Sequence, residues 1–424
     1  MAVMAEHLSD PPSTDVTVLG AGIIGICSAL ALQERGLSVT VIARGEPGQA
    51  TSYGNAGIVS PWSCVPQSMP GIWKSVPRWL LDPEGPLRVR ARELPRLMPW
   101  VASFFANTRL QKVHEISNAM DRLMHGNIDA YRHHLKGTGR EDLLQDSLFI
   151  NVFRGKAQPD LGDLGWRLRI DKGAPVEVIS GDELREIEPE LSPEIGQAVI
   201  IKDQARTLAP GEICKVLAEK VKGQGASFIK RDVKRLRPRN DGGIDLETDL
   251  GPIETNKLVL CGGVWSAELL RPLGIKLPLV SERGYHLEFT DPGIRLNHSI
   301  LDVAGKFIIS SMESGVRSAG TSEFADVNAP PNYGRADILA PMSRRLIPRL
   351  NTRQSRHWVG SRPSFPDNLP VIGELPGVHN LYGAFGHSHY GLGMAPATGR
   401  IVADTVMGSA SNVDCSSVSV ERFL

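Results

Sequence analysis

The chain has 424 residues, and 47 Lys and Arg balance 47 Asp and Glu, so its formal net charge is zero. A balanced chain has no global field that favours nucleic acid or an anionic membrane. Five cysteines without CxxC spacing or a neighbouring histidine cluster argue against a disulfide framework or a zinc site, and no apolar window approaches the roughly 18 residues of a membrane span. We therefore expect a cytoplasmic protein with no nucleic-acid partner and no metal site.

The N-terminal part of the chain predicts a βαβ unit. Residues 1–14 lack a basic segment followed by an apolar run, so we expect a disordered leader rather than a secretory signal. VTVLG at residues 16–20 then predicts a buried strand, IGICSALALQERG predicts a helix that ends at Gly36, and SVTVIA at residues 38–43 predicts a second strand.

A GxGxxG motif, formed by Gly20, Gly22 and Gly25, joins the first strand to the helix. The first glycine permits the tight turn, the second lets a pyrophosphate approach the backbone, and the third lets helix and strand pack closely. The free amides at the helix N-terminus, near Ile23 and Ile24, favour an anion. In this context the motif predicts a dinucleotide site.

Ala43 stands at the end of the second strand, where dinucleotide-binding folds usually carry an Asp or Glu that binds ribose. Alanine cannot accept those hydrogen bonds. One interpretation is an NADP site in which Arg44 meets the 2′-phosphate. The other is a flavin dinucleotide site that has lost one contact, with Arg44, Glu46 or the backbone compensating.

Residues 61–99 are rich in Pro and Trp and contain too many prolines for regular structure, so they predict a long functional excursion. Its apolar side chains stand beside Lys74 and Arg78, which is typical of a surface that rests on a membrane interface. A folded lid or inter-domain packing is the other interpretation. Residues 94–135 predict helices, and we expect His133 and His134 on their solvated surface.

The rest of the chain alternates between two kinds of segment. Residues 211–230 predict a helix, a glycine break and a strand, and residues 256–274 a strand that runs into a helix. Strand-like stretches predominate from 278 to 358, and a strand, a glycine-rich loop and a helix follow near the C-terminus. Nucleotide-type units at the start, middle and end of the chain predict a cofactor domain that is discontinuous in sequence.

Four separated motifs resemble FAD-dependent amine oxidoreductases, the family that includes D-amino-acid oxidase, glycine oxidase, sarcosine oxidase and, most similar, the bacterial D-amino-acid dehydrogenases of the small-subunit type. They are GAGIIG (20–25), ATSYGNAGIVSP (50–61), LVLCGGVWSAELLRPLG (258–274) followed by ERGYHLEF (282–289), and GSRPSFPDNLPVIG with GHSHYGLGMAPATG near the C-terminus. An NADP domain would explain only the first motif, so the resemblance favours FAD.

The resemblance implies an α/β (α+β) fold in which a discontinuous Rossmann-like FAD-binding domain carries an inserted substrate domain of antiparallel β-sheet and helices. We assign residues 15–65, 195–277 and 358–424 to the FAD-binding domain. Residues 66–194 and 278–357 then form the substrate-binding domain.

The resemblance also implies which residues hold the cofactor. The loop after the second strand would pass along the pyrophosphate and under the flavin, and the helix after Gly391 would present amides that stabilise negative charge on the reduced ring. The expected FAD contacts are Gly20, Gly22, Ile23, Ile24, Gly25, Arg44, Thr51, Ser52, Asn55, Ala56, Gly57, Val233, Gly262, Trp265, Gly391, Gly393 and Met394.

Arg362 is the main candidate for the substrate, because the family counterpart presents a guanidinium fork that suits a carboxylate better than a lysine would. The expected catalytic residues are Arg362, Tyr285, His389 and Tyr390. Further candidates for the pocket are His387, Arg206 and Thr207.

The implied reaction is the oxidative deamination of a D-amino acid, in which hydride passes from Cα to flavin N5 and the imino acid hydrolyses to a 2-oxo acid and ammonia. We expect the electrons to reach a quinone or another acceptor rather than mainly oxygen, with peripheral contact at the inner face of the membrane. Three alternatives stay open: an enzyme for sarcosine, proline or hydroxyproline, an NADP-dependent reductase, and a non-catalytic homologue that holds FAD weakly because of Ala43.

Overall fold

A computed structural model describes residues 14–409 and 413–424. The predicted leader therefore lies outside the described residues except for Thr14. The described strands are β1 (Val16–Leu19), β2 (Val39–Ala43), β3 (Ile58–Val59), β4 (Leu87–Val89), β5 (Leu144–Arg154), β6 (Val176–Ser180), β7 (Ile195–Thr207), β8 (Ser227–Lys230), β9 (Val233–Pro238), β10 (Ile244–Thr248), β11 (Gly251–Thr255), β12 (Leu258–Leu260), β13 (Val280–Phe289), β14 (Ser299–Asp302), β15 (Phe307–Met312), β16 (Gly315–Phe324), β17 (Ser355–Ser364), β18 (Val371–Glu374) and β19 (Leu381–Phe385).

The described α-helices follow the same chain order. They are α1 (Ile23–Glu34), α2 (Val76–Leu81), α3 (Leu94–Ala106), α4 (Leu110–Met124), α5 (Asn127–Leu135), α6 (Leu164–Asp171), α7 (Gly181–Ile187), α8 (Pro210–Gly223), α9 (Ser266–Leu270), α10 (Gly334–Asp337), α11 (Leu339–Leu346) and α12 (Gly391–Val406).

A six-stranded sheet in the order β18-β19-β12-β1-β2-β8 carries the predicted βαβ unit. Strand β1 pairs in parallel with both β2 and β12, and only the outer strand β18 is antiparallel to its neighbour. All four side chains of β1 are buried, as expected for a parallel strand covered on both faces. Helix α1 packs between α8 and α12, and the three share one apolar core.

A second, ten-stranded sheet is mainly antiparallel and follows the order β17-β13-β16-β15-β14-β5-β7-β3, with β4 beside β16 and β6 beside β7. Its apolar face packs against α11 around a separate core. Strands β9, β10 and β11 form a small antiparallel sheet. The prediction of a mixed α/β fold is confirmed. The domain boundaries stay a prediction; strands β7 and β17, which the predicted boundaries place wholly or partly in the FAD-binding domain, belong to the ten-stranded sheet.

The structure corrects two of the sequence interpretations. Residues 61–99 contain the helix α2, the strand β4 and the start of α3, because prolines stand in the first turn of each helix, where a missing N–H costs nothing. His134 lies on the buried face of α5, whereas its neighbour His133 is exposed. The helices predicted over 94–135 are present as α3, α4 and α5.

Four of the five cysteines, Cys27, Cys64, Cys214 and Cys261, are buried and form no disulfide. Within residues 14–409 and 413–424, no helix has the length and apolar character needed to cross a membrane. The same residues contain no cluster of three His, Cys, Asp or Glu side chains that could hold a metal ion.

Candidate active site

A cavity of 1510 Å³ is bounded by both large sheets. The turn between β1 and α1 lines one part of it, the loop at residues 48–60 and the segment from 63 to 105 line another, and strands β13, β16 and β17 face the N-terminus of α12 across it. Such a volume exceeds the usual size of a pocket for a drug-sized ligand. The cavity is therefore large enough for a cofactor and a substrate together.

The β1–α1 turn is shaped by glycine. Gly20 has φ +123°, and a Cβ there would lie 2.4 Å from the carbonyl oxygen of Cys261 on the neighbouring strand end. The first turn of α1 carries no acidic side chain, and the backbone N–H of Ile23 donates to Ser52 Oγ at 3.0 Å. This leaves a helix N-terminus that favours a phosphate.

Arg44 and Trp265 form the end of the cavity nearest Ala43. The guanidinium of Arg44 lies over the Trp265 ring at 3.7 Å, a cation–π contact. Val233 and Gly262 line the same end. Arg44 thus borders the cavity beside Ala43, and its role as compensation for the missing ribose-binding acid stays a prediction.

The loop at residues 51–57 is held from below by a buried arginine. Arg317 on β16 donates through Nη1 to the carbonyl oxygens of Tyr53 (2.8 Å) and Asn55 (2.7 Å), and its Nη2 pairs with Glu288 on β13 at 2.8 Å. Both charged side chains are about 97 % buried, since each is 3 % exposed. The loop conformation is therefore fixed by a charge pair that is itself outside the cavity.

The N-terminus of α12 is the second helix end that faces the cavity. Gly391, Leu392 and Gly393 line it, and the first turn carries no acidic side chain. The carbonyl oxygen of Leu392 accepts a hydrogen bond from the Tyr131 hydroxyl at 2.7 Å, which ties this end to α5. Two helix N-termini without acidic side chains in their first turns thus face one cavity, a suitable environment for an anionic cofactor.

Arg362 and Glu282 lie opposite each other on β17 and β13. Arg362 Nη1 is 3.5 Å from Glu282 Oε1 and 3.1 Å from the Ser322 hydroxyl. A Cβ added to Gly284 would lie 2.3 Å from Arg362 Cζ, so the guanidinium lies directly across that glycine. The bare backbone at Gly284 makes room for the arginine along the cavity wall.

Glu282 is the centre of a polar network. Its carboxylate accepts hydrogen bonds from the hydroxyls of Ser322 (2.7 Å) and Ser364 (2.8 Å), and His389 Nε2 lies 3.1 Å from Oε1. Burial raises the pKa of Glu282, but the charges and hydrogen bonds of His389 and Arg362 outweigh it, so the pKa lies well below its ordinary value. Glu282 is thus an anion inside the cavity wall.

His389 connects this network to the segment that follows β3. Its Nδ1 lies 2.9 Å from Gln67 Nε2, and the backbone N–H of Gln67 donates to Asn368 Oδ1 at 2.8 Å. Tyr390 donates its hydroxyl proton to the carbonyl oxygen of Val65 at 3.0 Å, and burial raises the Tyr390 pKa. The two residues therefore fasten the 63–67 loop to the start of α12.

Tyr285 is not brought to this cavity. Side chains alternate along β13, so Glu282, Gly284 and His286 face the loop at residues 51–57 and the cavity wall, whereas Tyr285 faces the core of the ten-stranded sheet. The Tyr285 hydroxyl donates to Glu323 Oε2 at 2.6 Å, and the residue as a whole is 1 % exposed.

Most of the predicted site residues share the cavity. Those that line it are Gly20, Gly22, Ile23, Ile24, Arg44, Thr51, Ser52, Asn55, Ala56, Val233, Gly262, Trp265, Arg362, His387, His389, Tyr390, Gly391 and Gly393. Their individual contacts with cofactor and substrate stay predictions.

The remaining predicted residues are not among those that line the cavity, and their contacts with cofactor or substrate stay predictions. Gly25 contacts the Gly20 carbonyl oxygen, where a Cβ would lie at 1.9 Å, and Gly57 likewise packs on the Thr207 carbonyl oxygen. Met394 is fully buried in the core around α1. Arg206 donates to the Leu296 carbonyl oxygen at 3.3 Å, away from the cavity.

Sequence reasoning missed Glu282, Gln67, Ser322 and Arg317. One signal was available for the first: VSERGYHLEF alternates polar residues at 282, 286 and 288 with apolar ones at 285, 287 and 289. That period of two predicts Glu282 on the site face and Tyr285 in the core. The other residues depend on long-range pairing that no local pattern indicates.

Comparison with known proteins decides the family. The family model for FAD dependent oxidoreductases matches residues 15–405. The chain belongs to this family. It is 34 % identical over 421 residues to a D-amino-acid oxidase of Bradyrhizobium diazoefficiens, covering 98 % of this chain and all of that protein, and 28 % identical to a D-amino acid dehydrogenase of Vibrio atlanticus, covering 97 % and 100 %. The L-proline dehydrogenase structure from P. horikoshii has the same fold, with a TM-score of 0.74, 19 % identity and coverage of 97 % and 98 %.

This family member is an oxidoreductase with FAD as its cofactor. The residues fit that group, because two helix N-termini without acidic side chains and a glycine turn border a cavity of sufficient volume. Bound FAD supplies the hydride acceptor. Toward bound FAD the chain would present the turn at Gly22, the Arg44–Trp265 end and the Arg317-anchored loop, and Arg362 on the wall remains the predicted residue for the substrate.

Proposed function

We propose that this enzyme oxidises a D-amino acid to an imino acid, which water hydrolyses to a 2-oxo acid and ammonia. Two electrons and the Cα hydrogen leave as hydride, and the imine forms once the amine has lost its proton. The names of the relatives in Bradyrhizobium diazoefficiens and Vibrio atlanticus support a D-amino acid as substrate.

The observation that carries the proposal is the placement of Arg362. Its guanidinium borders the cavity next to the N-terminus of α12, and its orientation is fixed by Glu282 and Ser322. A planar fork held in this way binds a carboxylate with two parallel hydrogen bonds and orients the attached Cα. Orientation is what the chain must supply, since the cofactor carries the redox chemistry.

We propose a lipophilic acceptor such as a quinone for the electrons. Five of the twelve exposed large apolar residues in the described chain lie between 73 and 98: Trp73, Leu80, Leu81, Leu94 and Met98. Neighbouring residues such as Ile72 and Trp79 line the cavity. The segment 72–98 also carries six Lys or Arg against three Asp or Glu, a composition that suits peripheral contact with an anionic membrane surface.

The test is a product assay on the purified holoenzyme with D- and L-alanine, D- and L-proline and sarcosine. We expect 2-oxo acid and ammonia from a D-enantiomer with its L-partner inactive, and faster reduction of a water-soluble quinone than of oxygen. Preferential turnover of sarcosine or of an L-enantiomer would contradict the substrate class. Peroxide formation as fast as quinone reduction would contradict the acceptor.

A further inference from the structure

Arg169 is a cation on the cavity wall without an anionic partner. It stands on α6 and borders the same cavity as Arg362. Its Nη1 donates to the Gly165 carbonyl oxygen at 3.0 Å, and its Nε is buried without a hydrogen-bond partner. In the described part of the chain, no carboxylate forms an ion pair with it. Burial lowers the Arg169 pKa, and the guanidinium lies over the Trp166 ring with its Cζ 5.3 Å from the ring centroid.

Other arginines of the interior are satisfied or lie elsewhere. Arg317 pairs with Glu288 and Arg362 with Glu282, whereas Arg206 and Arg335 have no ion pair among the described residues but do not line the cavity. Arg44 and Arg231 line the cavity without an ion pair in the described chain, but they lie at the end near Ala43. Lys306 borders the cavity as well and is exposed as a residue; burial of its amine lowers its pKa, but the neighbouring carboxylate of Asp302 favours its charged form. A half-buried arginine that lines a ligand cavity and has no carboxylate partner is arranged to receive an anion.

Arg169 is positioned on the same wall as the proposed substrate site. Helix α6 packs under the 63–67 loop, since a Cβ on Gly165 would lie 3.7 Å from Val65 Cγ1 and 3.9 Å from Arg169 Nη1. Tyr390 donates to the Val65 carbonyl oxygen and contacts His389 edge to face, with ring centroids 6.3 Å apart. The wall therefore continues from Arg169 through Tyr390 and His389 to Glu282.

We propose that Arg169 binds a second carboxylate, so that this enzyme prefers substrates with an acidic side chain. The inference rests on the proposed function, because Arg362 takes the α-carboxylate and Arg169 the carboxylate at the far end. Glu282 neutralises Arg362 in part, which leaves Arg169 as the uncompensated charge that discriminates a side-chain carboxylate from an amide of equal size.

The test compares two matched ligand pairs on the holoenzyme. D-glutamate and D-glutamine measure turnover, and glutarate and its monoamide measure binding through the change in the flavin absorbance, which needs no reaction. Wild-type enzyme is expected to favour the dicarboxylate at least about tenfold in both pairs. Arg169→Gln is expected to bring both ratios to within about twofold of one. Arg167→Gln, an exposed arginine on the same helix, is expected to keep the wild-type ratios.

Three results would overturn the inference. The first is equal binding of glutarate and its monoamide by the wild-type enzyme. The second is a preference that survives Arg169→Gln but is lost in Lys306→Gln. The third is an Arg169→Gln enzyme with a shifted flavin potential and slower reduction by every substrate, which would assign the guanidinium to the flavin. Because the glutarate pair does not depend on turnover, it still reports on Arg169 if no D-amino acid is oxidised.

Discussion

At the scale of single residues, Gly284 decides where the proposed carboxylate-binding group lies. The Arg362 guanidinium occupies the space in which any side chain at position 284 would begin. Gly284 lies in an ordinary strand and has no positive φ. The need for glycine therefore comes from the neighbouring arginine and not from the backbone conformation.

We expect Gly284→Ala to displace Arg362 while leaving the fold intact, because a flexible side-chain end can move where backbone cannot. KM for the amino acid should rise at least about tenfold, and the FAD content should stay unchanged. Gly223→Ala, at a helix end with open space around it, is the control and should leave KM unchanged. The KM values from steady-state kinetics check this, and an unchanged KM for Gly284→Ala would contradict the role given to Arg362.

At the scale of elements, β13 connects the loop at residues 51–57 with the part of the cavity wall that carries Arg362. Glu282 on this strand meets Arg362 on β17, and Glu288 on the same face meets Arg317 on β16. One face of one strand thus positions both the loop at residues 51–57 and Arg362, the proposed carboxylate-binding residue. A substitution in either charge pair should therefore have two effects that can be measured separately, one on the free energy of unfolding and one on the binding of cofactor or substrate.

We expect Arg317→Met to lower the free energy of unfolding by about 3 to 5 kcal/mol, since it leaves Glu288 buried without a partner. The double variant Arg317→Met with Glu288→Met should recover most of that stability. It should still bind FAD more weakly than wild type, because the carbonyl oxygens of Tyr53 and Asn55 have lost their donor. Urea unfolding and fluorescence of released flavin measure the two effects. A double variant with wild-type FAD affinity would show that Arg317 does not hold the loop.

Local elements of the fold were predictable, because their signals are local. The glycine turn before α1, the helix and strand at 210–230, and the glycine-rich start of α12 all follow from short patterns. The helix α2 was missed because its proline was counted as a breaker, although it stands in the first turn. Cross-strand neighbours such as Glu282 and Arg362 are 80 residues apart, and their register depends on the whole sheet.

At the scale of the whole molecule, the cavity draws its wall from nearly every segment of the chain, from the first strand to the last helix. No single motif could therefore indicate Gln67 or Arg169 as neighbours of the C-terminal loop. The two large sheets instead bring these residues together, and the same packing buries several titratable groups outside the site.

Stability is expected to fall as the pH falls below about 6.5. Burial lowers the pKa of His134 and His298 to about 4 and that of His387 to about 3, so the unfolded chain binds protons that the folded chain does not. The contribution of these histidines to the free energy of unfolding is complete above their ordinary pKa of 6.5, which applies to the unfolded chain. It is lost as the pH falls from there toward their lower pKa in the folded chain. Burial raises the pKa of Glu188 to about 7, which acts in the opposite direction between pH 4.5 and 7.

Two neighbouring histidines separate this effect from other acid effects. Replacing His134 with Gln should reduce the loss of unfolding free energy between pH 7 and pH 5 by about 2 kcal/mol. Replacing His133, whose side chain is 71 % exposed, should leave that loss unchanged. Urea unfolding of the holoenzyme at the two pH values measures it. Equal effects of the two substitutions would contradict the assignment to buried, neutral histidine.

The proposed function is tested most directly by the visible spectrum of the holoenzyme after anaerobic mixing with D-alanine, D-glutamate and their L-enantiomers. We expect that a D-amino acid bleaches the flavin band, that its L-enantiomer does not, and that Arg362→Gln needs at least about a hundredfold more of the D-amino acid for the same bleaching. Bleaching by the L-enantiomers alone, or equal bleaching of wild type and Arg362→Gln, would contradict it.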